Sequence, residues 1–494
     1  LMSMPVWVLI HKEPKTEIKF INDTYYKYQV SYKYNKDKKR TDKITEKLLG
    51  KIDEELGFVK SDKNTIREQA MGVALPKVDI KNYGVCLLFY TLLKDELELF
   101  KKHFKENVAD TIFIFAMMRW AFQSPIKRAP SYFIHDYCSE LYVKNSLSDK
   151  DFSNALKFVG QNREALTQWM KDLLNIEEND NNKFVLMDST HITSVSEHLG
   201  INALGYNPAH SYDKQVRLMY LFSAQLKKPV YYRLINGNIT DLKSMKLCIK
   251  EMKVNDVIYI ADKGFYSKEN ITMLDNEKLQ YLIPLHRNNK LINFKPITEG
   301  KIKIENKTYF IYQDRAIWYY TYENEGIKLI TFLDDKLRTT EENDYLLRIQ
   351  SKPEEYTETK YFEKLHVFGT LTLVYKTAGL TEPKDLYTGY KKRNEVEVMF
   401  DSYKNFLKAD LMYMQDRHVT EGWLATNFIA MIAYHKLFAR IQDAKLTAHV
   451  SPKDVIETCK SIYKVKINGK WQISEITKKI DQLLKKLKID YLKE

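Results

Sequence analysis

The sequence predicts an α/β protein: a mixed-sheet core with a β-rich insertion, flanked by a mostly helical N-terminal region and a helical C-terminal region. Three observations lead to this fold class. Three strand-like segments follow one another from residue 183, strands and helices then alternate, and residues 288–383 again show strand patterns. The chain has 494 residues, of which 44% are hydrophobic, so it can bury the cores of several domains.

The N-terminal part begins with a strand pattern and continues as helices. Residues 24–34, TYYKYQVSYKY, alternate as a strand does, and residues 33–51 hold eight basic and three acidic residues. A hairpin with such a basic tip can lie along DNA phosphates, or it can be an ordinary solvated turn. Residues 64–175 have apolar side chains at helical spacing. They predict either a helical domain that binds DNA ends or a helical layer packed on the core.

The central part alternates between strands and helices. Strands are predicted for the segments KFVLMDST, VRLMYLFSA, PVYYRLI, DVIYIAD and QYLIPL, and helices for SMKLCIKEM and ENITMLDNE. Within the insertion, strands are predicted for KIKIENKTYFIYQ, AIWYYTYEN and IKLITFL. Residues 386–407 and 420–442 return to helix. The sequence contains no Gly-rich nucleotide-binding motif.

These patterns divide the chain into six segments. They are a basic β-hairpin segment at 1–63, which is the candidate for DNA binding, a helical region at 64–178, the first part of the core at 179–287, the β-rich insertion at 288–383, the second part of the core, which contains a helix, at 384–445, and a basic helical region at 446–494. An apolar stripe in the last segment predicts either packing on its own domain or dimerisation. The stripe consists of Ile473, Ile476, Ile480, Leu483 and Leu487.

Charge and cysteine content restrict the classes of partner and compartment. The formal charge of +13 favours nucleic acid as a partner, ahead of anionic membranes, although a solvated Lys-rich surface has the same composition. The four cysteines lie far apart without a CxxC spacing, so neither a zinc site nor a disulfide framework is predicted. Neither a signal peptide nor a membrane span is predicted, and we expect a cytoplasmic protein.

Two aspartates stand out because each follows an apolar strand. Asp188 comes after FVLM and Asp262 after VIYIA, and the ends of strands are where an α/β sheet commonly presents its ligands. Either aspartate alone could equally be a helix cap or a turn residue. A buried aspartate needs an ionic partner or a bound cation, so the two together indicate a cation site.

A third carboxylate lies in the basic segment YKKRNEVEVMFDSYK. On a helix, Tyr390, Arg393, Glu397 and Lys404 share one face, whereas Glu395 points away from it. Glu397 can therefore face an active site between two cations. The alternative is an ordinary surface ion pair between Arg393 and Glu397 at i,i+4 spacing.

The three carboxylates Asp188, Asp262 and Glu397 are hard oxygen ligands of the kind that Mg²⁺ or Mn²⁺ binds. Two such ions, about 4 Å apart, can activate an attacking oxygen and stabilise a leaving oxygen in phosphoryl transfer. Arg393 and Lys404 can then hold DNA phosphates beside an acidic centre that otherwise repels them.

These blocks resemble the DDE insertion-sequence transposases. Residues 390–404 keep a Y-x2-R-x3-E-x6-K spacing, which is similar to the Y-R-E-K signature of the branch that includes the "insertion sequence four" group and the transposon-five transposase. MDST around Asp188 and ADKGFYS around Asp262 resemble the two aspartate motifs of that family. The resemblance covers most of residues 183–440 and, more weakly, residues 24–60.

The resemblance implies a ribonuclease-H-like catalytic core with a β-strand insertion between the second aspartate and the glutamate. It implies that Asp188, Asp262 and Glu397 bind two Mg²⁺ ions, for which Mn²⁺ can substitute. Water then cleaves the phosphodiester at the transposon end, and the freed 3′-OH attacks target DNA, with a hairpin end as the expected intermediate. Tyr390 is expected to hold phosphates together with the two neighbouring cations of the signature.

The resemblance also implies partners and further contacts. We expect double-stranded DNA with terminal inverted repeats, target DNA, and a second copy of the chain in a synaptic complex, inside a prokaryotic cell and nucleoid-associated when bound to DNA. Trp318 is a candidate for stacking on a flipped base, with strand packing as the alternative, and Arg287 is a candidate DNA contact.

Two other functions fit the same residues. A related metal-dependent nuclease cuts DNA without joining it, and a retired DNA-binding protein keeps the fold without the chemistry. Because all three carboxylates and the Tyr, Arg and Lys of the signature are present, the retired protein is disfavoured.

Overall fold

The structure is a computed structural model. It describes residues 4–35, 39–61, 78–142, 146–174, 183–204, 213–239, 241–252, 257–304, 308–379 and 382–490, without the side chains of Lys183, Asp241, Leu242 and Glu395. The chain divides into two compact units. The first consists of Leu1–Ile80 and Val465–Gln472, and the second consists of Lys81–Lys464 and Ile473–Glu494.

The described strands form three sheets. In chain order they are β1 Thr16–Ile21, β2 Thr24–Asn35, β3 Arg40–Asp53, β4 Gly57–Lys60, β5 Asp79–Asn82, β6 Lys183–Ser194, β7 Ala203–Leu204, β8 Lys214–Ser223, β9 Lys228–Asn236, β10 Val257–Ala261, β11 Gln280–Pro284, β12 Tyr309–Tyr312, β13 Arg315–Asn324, β14 Ile327–Asp334, β15 Thr370–Lys376, β16 Leu411–Met412, β17 Tyr463–Ile467 and β18 Lys470–Ile473. The sheets have the orders β1-β2-β3-β4, β12-β13-β14-β15-β11-β10-β6-β8-β7 and β18-β17-β5, with β16 on β6 and β9 on β8.

Helices account for most of the remaining described residues. The α-helices are Val6–Leu9, Gly84–Lys101, Glu106–Phe122, Ala129–His135, Cys138–Leu141, Asp149–Gln161, Arg163–Leu174, Asp241–Met252, Lys268–Asn276, Lys295–Thr298, Lys301–Ile304, Asp335–Ser351, Glu358–Lys364, Pro383–Lys391, Asn394–Asp401, Arg417–Asp443, Pro452–Cys459 and Lys478–Lys486. Short 3₁₀-helices lie at Ile126–Arg128 and Lys263–Phe265, and a π-helix lies at Ser402–Phe406. None of the helices in the described ranges is both long enough and apolar enough to cross a membrane.

The predicted N-terminal hairpin forms the middle of an antiparallel sheet in the first unit. β2 pairs with β3, and β1 and β4 flank them. Alternation along the strands buries Ile18 and Ile52, which form a small core with Val8 of the helix Val6–Leu9. The predicted basic tip falls partly on residues 36–38, which lie outside the described residues.

The large sheet of the second unit is mixed, as the strand and helix pattern predicts. β6 pairs in parallel with β10 and antiparallel with β8, and β10 pairs in parallel with β11. The residues of β10, VIYIA, are all buried, because helices cover both faces of parallel strands and leave a continuous apolar run. All five strands and both helices predicted between residues 183 and 287 are present.

The strands of the insertion continue the large sheet, because β15 pairs antiparallel with β11 and β14 pairs with β15. The insertion differs from its prediction in that it also contains helices: Asp335–Ser351 follows β14, and Lys301–Ile304 occupies the start of the segment predicted as a strand. Polar residues dominate the longer of these helices, so its sequence lacks the apolar stripe by which we recognise a packed helix.

The helical N-terminal region belongs to the same unit as the large sheet, and its helices pack as a layer on the core. The helix Asp149–Gln161 meets the helix Arg417–Asp443 at two glycines. A Cβ on Gly160 would lie 1.9 Å from the carbonyl oxygen of His418, and one on Gly422 would lie 2.1 Å from that of Leu156. The two backbones can approach this closely only because both positions lack a side chain.

Substitution of Gly422 by Ala is therefore expected to lower the free energy of unfolding by about 3 kcal/mol, because the added methyl group forces two helix backbones apart. Urea denaturation followed by circular dichroism measures the change. Gly200→Ala is the matched control, since a Cβ there meets no atom within 4 Å. Equal stability of the two variants contradicts the close packing.

The C-terminal segment was predicted to be helical, but it also contains a hairpin formed by β17 and β18. Asn468 and Gly469 join the strands with positive φ angles of 51° and 82°, the conformation that Asn-Gly favours in two-residue hairpin turns. The predicted apolar stripe packs on its own unit: Leu487 is buried, and the other four side chains are partly buried against the main core.

Candidate active site

The register of two parallel strands brings the two aspartates together. Met187 of β6 lies beside Ala261 of β10, so Asp188 and Asp262 occupy the next position on each strand. Asp262 follows the end of its strand, as predicted. Asp188 does not, because β6 continues to Ser194. The antiparallel pairing with β8 continues past Asp188, whereas the parallel pairing ends at Met187.

Backbone hydrogen bonds orient both carboxylates. Oδ1 of Asp188 accepts from the N–H of Ser189 at 2.8 Å, and Oδ1 of Asp262 accepts from the N–H of Lys263 at 2.7 Å. The second bond caps the 3₁₀-helix that begins at Lys263. Both aspartates are partly exposed, so they remain accessible to a ligand at the edge of the sheet.

The predicted single helix over residues 386–407 consists of three segments. Between the helices Pro383–Lys391 and Asn394–Asp401 the turn is tighter, because the N–H of Arg393 bonds to the carbonyl of Tyr390, three residues back. After residue 401 the turn is wider, since the N–H of Leu407 bonds to the carbonyl of Ser402, five residues back. The uniform 100° rotation used for the prediction therefore holds only within each segment.

Arg393 connects two of the predicted acids. Its Nη2 lies 2.8 Å from Oε1 of Glu397 and its Nη1 lies 3.4 Å from Oδ1 of Asp262. The i,i+4 ion pair considered for the sequence is thus present, but the same guanidinium also reaches a carboxylate on another element. Glu397 is the more open partner, with 55% of its side chain exposed. Glu395 was predicted to point away from this face, and its side chain is not among those that the structure describes.

Electrostatics also couple Asp188 to this arginine. Burial is the largest single influence on the pKa of Arg393 and lowers it. The combined effects of Asp262, Tyr390 and Asp188 outweigh burial and raise that pKa above its ordinary value. Burial raises the pKa of Tyr390, and the neighbouring Arg393 guanidinium opposes this effect. The guanidinium is therefore a cation held among acids from three chain elements.

Lys404 lies in the π-helix and influences the pKa of His191, as does Arg217. Burial lowers the pKa of Lys404, and Asp410 partly opposes this effect. Burial, Lys404 and Arg217 together lower the pKa of His191. Arg217 lies opposite His191 across β6 and β8, and its Nη1 lies 3.2 Å from Oγ of Ser189. The sequence pattern did not single out Arg217, because only the strand register places it beside Ser189 and His191.

The two remaining candidates lie in or beside the insertion. Arg287 forms a two-point ion pair with Glu341 at 2.9 and 3.0 Å and bonds to the carbonyl of Thr370. Trp318 is partly buried, and its Nε1 lies 3.2 Å from Oδ2 of Asp335. Both side chains have contacts that stabilise the insertion, and their roles in DNA binding stay predictions.

The donor chemistry of the acids fits Mg²⁺, since each of Asp188, Asp262 and Glu397 offers hard oxygen atoms. Asp262 and Glu397 already share one cation, the Arg393 guanidinium. In the part of the chain that the structure describes, no three His, Cys, Asp or Glu side chains are close enough to hold one metal ion. In the described structure, the positive charge between Asp262 and Glu397 is therefore the guanidinium of Arg393.

Two comparisons with known proteins found matches to the chain. The sequence profile of the family described as "Transposase DDE domain" matches residues 180–433, slightly more than half of the chain. A solved structure titled "Cryo-EM structure of piggyBac transposase synaptic complex with hairpin DNA" shares 10% identity, with a TM-score of 0.38, over 72% of this chain and 70% of that chain. A comparison with curated protein sequences gave no match.

Proposed function

Because the chain belongs to the transposase DDE domain family, we propose that it is a DNA transposase of the Y-R-E-K signature branch with a ribonuclease-H-like core. One observation carries the proposal. Asp188 and Asp262 occupy matching positions on adjacent parallel strands, and Arg393 joins Asp262 to Glu397. These are the three acids that the resemblance singled out, and they come from three separate segments.

We propose that Asp188, Asp262 and Glu397 hold two Mg²⁺ ions, with Mn²⁺ as a substitute. When bound, the ions supply Lewis-acid activation of the attacking oxygen and neutralise charge on the leaving oxygen. The carboxylates of Asp188 and Asp262 are held in a fixed orientation, because a backbone N–H group donates a hydrogen bond to one oxygen of each. Binding of the ions then requires the three acids to move closer together and Arg393 to leave Asp262 and Glu397.

The basic residues of the signature position the DNA in this proposal. Arg393 exchanges its carboxylate partners for a phosphate, to which a guanidinium can donate two parallel hydrogen bonds. Tyr390 is close enough to this guanidinium for each group to shift the pKa of the other, and it can bind the same phosphate. Lys404 and Arg217, which both lower the pKa of His191, supply further positive charge for the phosphates of the same strand. Without these cations the acidic centre repels DNA.

Two transesterification steps follow hydrolysis at the transposon end. The oxygen of water bonds to phosphorus and the 3′ oxygen leaves as a free hydroxyl. That 3′-OH bonds to a phosphorus of the opposite strand and displaces the 3′ oxygen of the flanking DNA, which leaves a hairpin end. A second water attacks the same phosphorus and releases the 3′-OH, which finally attacks a target phosphodiester and displaces the 3′ oxygen of the target strand. A dimer that bridges two inverted-repeat ends, with each copy cutting the end bound by the other, fits this sequence of steps.

A strand-transfer assay tests the proposal. A labelled duplex that carries the end flanking the gene is incubated with protein, Mg²⁺ and a supercoiled target plasmid. We expect cleavage at the end followed by covalent transfer of the label into the plasmid, both lost in EDTA. Cleavage without any joined product supports a nuclease instead, and DNA binding without cleavage supports a retired DNA-binding protein.

A further inference from the structure

The side chain of Arg393 fills the space between two of the three acids. Its guanidinium lies 3.4 Å from Oδ1 of Asp262 and 2.8 Å from Oε1 of Glu397. The arginine side chain is 20% exposed, whereas the side chains of Asp262 and Glu397 are 31% and 55% exposed. Solvent therefore reaches both acids, but the position that faces the two of them together is taken by a cation of the protein itself.

This cation opposes the binding of a second cation by the same acids. Burial lowers the pKa of Arg393, but Asp262, Tyr390 and Asp188 outweigh burial and raise it, so the guanidinium stays charged. Like charges repel each other strongly at short distance where the surroundings are partly buried. A divalent ion on Asp262 or Glu397 lies close to the guanidinium, so it binds less tightly than it would to the same acids without Arg393.

Arg393 also has a donor that the acids do not use. Its Nε is buried and has no hydrogen-bond partner among the residues that the structure describes. A buried donor without a partner costs free energy. A phosphate can accept from Nε and from a neighbouring Nη in parallel, the geometry in which guanidinium groups bind phosphate best. A DNA phosphate therefore offers Arg393 a hydrogen bond that its two carboxylate partners leave unmade.

We propose that Arg393 is a built-in counter-ion that weakens metal binding at Asp262 and Glu397 until a DNA phosphate draws it away. DNA and Mg²⁺ then bind cooperatively, and the protein without DNA holds Mg²⁺ poorly. The inference rests on the proposed function, because both ligands are those of the proposed reaction. Linkage requires reciprocity: the factor by which the duplex raises the metal affinity is also the factor by which the metal raises the duplex affinity.

Mn²⁺ binding measured by electron paramagnetic resonance tests this coupling, because free and bound Mn²⁺ give different signals. The protein is titrated with and without a saturating duplex that stops at the cleavage position and has a 3′-deoxy terminus, so no reaction occurs. We expect the duplex to raise the Mn²⁺ affinity of the wild type by about tenfold or more. Binding that persists in Glu397→Gln belongs to the duplex or to other sites and is subtracted.

Two variants separate Arg393 from a general effect of charge. Arg393→Gln removes the counter-ion and is expected to bind Mn²⁺ without DNA about tenfold more tightly than the wild type. Lys392→Gln removes the adjacent positive charge and is the matched control. The Nζ of Lys392 lies 5.0 Å from the centroid of the Phe184 ring, and we expect its loss to change the Mn²⁺ affinity by less than about twofold.

Equal Mn²⁺ affinity of the wild type with and without the duplex overturns the counter-ion role. So does an Arg393→Gln variant that is folded by circular dichroism and, without DNA, binds Mn²⁺ no more tightly than the wild type. Mg²⁺-dependent cleavage of an intact end is measured on the same wild-type protein. Cleavage together with DNA-independent Mn²⁺ binding keeps the proposed function and removes the counter-ion role. DNA-dependent Mn²⁺ binding that Arg393→Gln makes independent of DNA, without any cleavage, does the reverse.

Discussion

Glu397→Gln is expected to slow Mg²⁺-dependent cleavage of the transposon end by at least about a thousandfold, which corresponds to ~4 kcal/mol of lost transition-state stabilisation. The substitution keeps the shape of the side chain and removes its charge, so a hard metal ligand is lost. DNA binding is expected to survive, since a less acidic site repels phosphates less. Single-turnover cleavage and a gel-shift assay measure the two effects separately.

Glu395→Gln provides the control for this prediction. It makes the same chemical change two residues away on the same helix, Asn394–Asp401, and is expected to cleave at the wild-type rate. If Glu397→Gln cleaves normally, the contact of Glu397 with Arg393 at 2.8 Å is only a surface ion pair. The assignment of Asp188, Asp262 and Glu397 as one catalytic set then fails.

Local sequence patterns predicted the parts of the fold that depend on neighbouring residues. A short apolar run such as VIYIA predicts a buried strand, and β10 is the buried strand that this run forms. Asp188 and Asp262 were found because each follows such a run. That they lie side by side depends on the register of β6 and β10, which the sequence of either strand alone does not determine.

Features that depend on distant contacts could not be predicted in this way. The helix through Arg393 and Glu397 changes its pitch twice, and the second change leads into the π-helix Ser402–Phe406. A helical wheel assumes one pitch throughout, so the face that Glu397 and Lys404 were predicted to share stays a prediction. The β17–β18 hairpin was also not predicted, but the sequence contains a local signal for it, because Asn-Gly at positions 468 and 469 favours a two-residue hairpin turn.

The π-helix depends on a residue of the helical N-terminal region. Arg119 is 5% exposed, and its Nη2 donates to the carbonyl of Leu407, directly after the π-helix, at 2.8 Å. Its Nε donates to Oδ1 of Asn427 and its Nη1 to the carbonyl of Gln123, each at 3.0 Å. Burial lowers the pKa of Arg119 to about 10, so it stays charged at neutral pH. The helical layer thus fixes the segment that carries Lys404.

Arg119→Met is accordingly expected to lower the free energy of unfolding by about 2–4 kcal/mol, because buried carbonyl groups lose their hydrogen-bond donors. The effect should extend to function. Once the carbonyl of Leu407 is released, the π-helix relaxes toward α-helical pitch and Lys404 turns away from its position near His191. We expect the KM for the end duplex to rise under conditions where the variant remains folded. Urea denaturation and steady-state cleavage measure the two effects.

Arg128→Met removes an exposed arginine from the same region and is expected to change neither stability nor KM. The combination of results decides what Arg119 does. Lower stability with a normal KM means that Arg119 only fills the core, and that Lys404 keeps its position without it. Lower stability with a raised KM, and wild-type behaviour of Arg128→Met, means that the helical layer positions a phosphate-binding cation. The N-terminal helices are then part of the catalytic apparatus although none of them carries a catalytic acid.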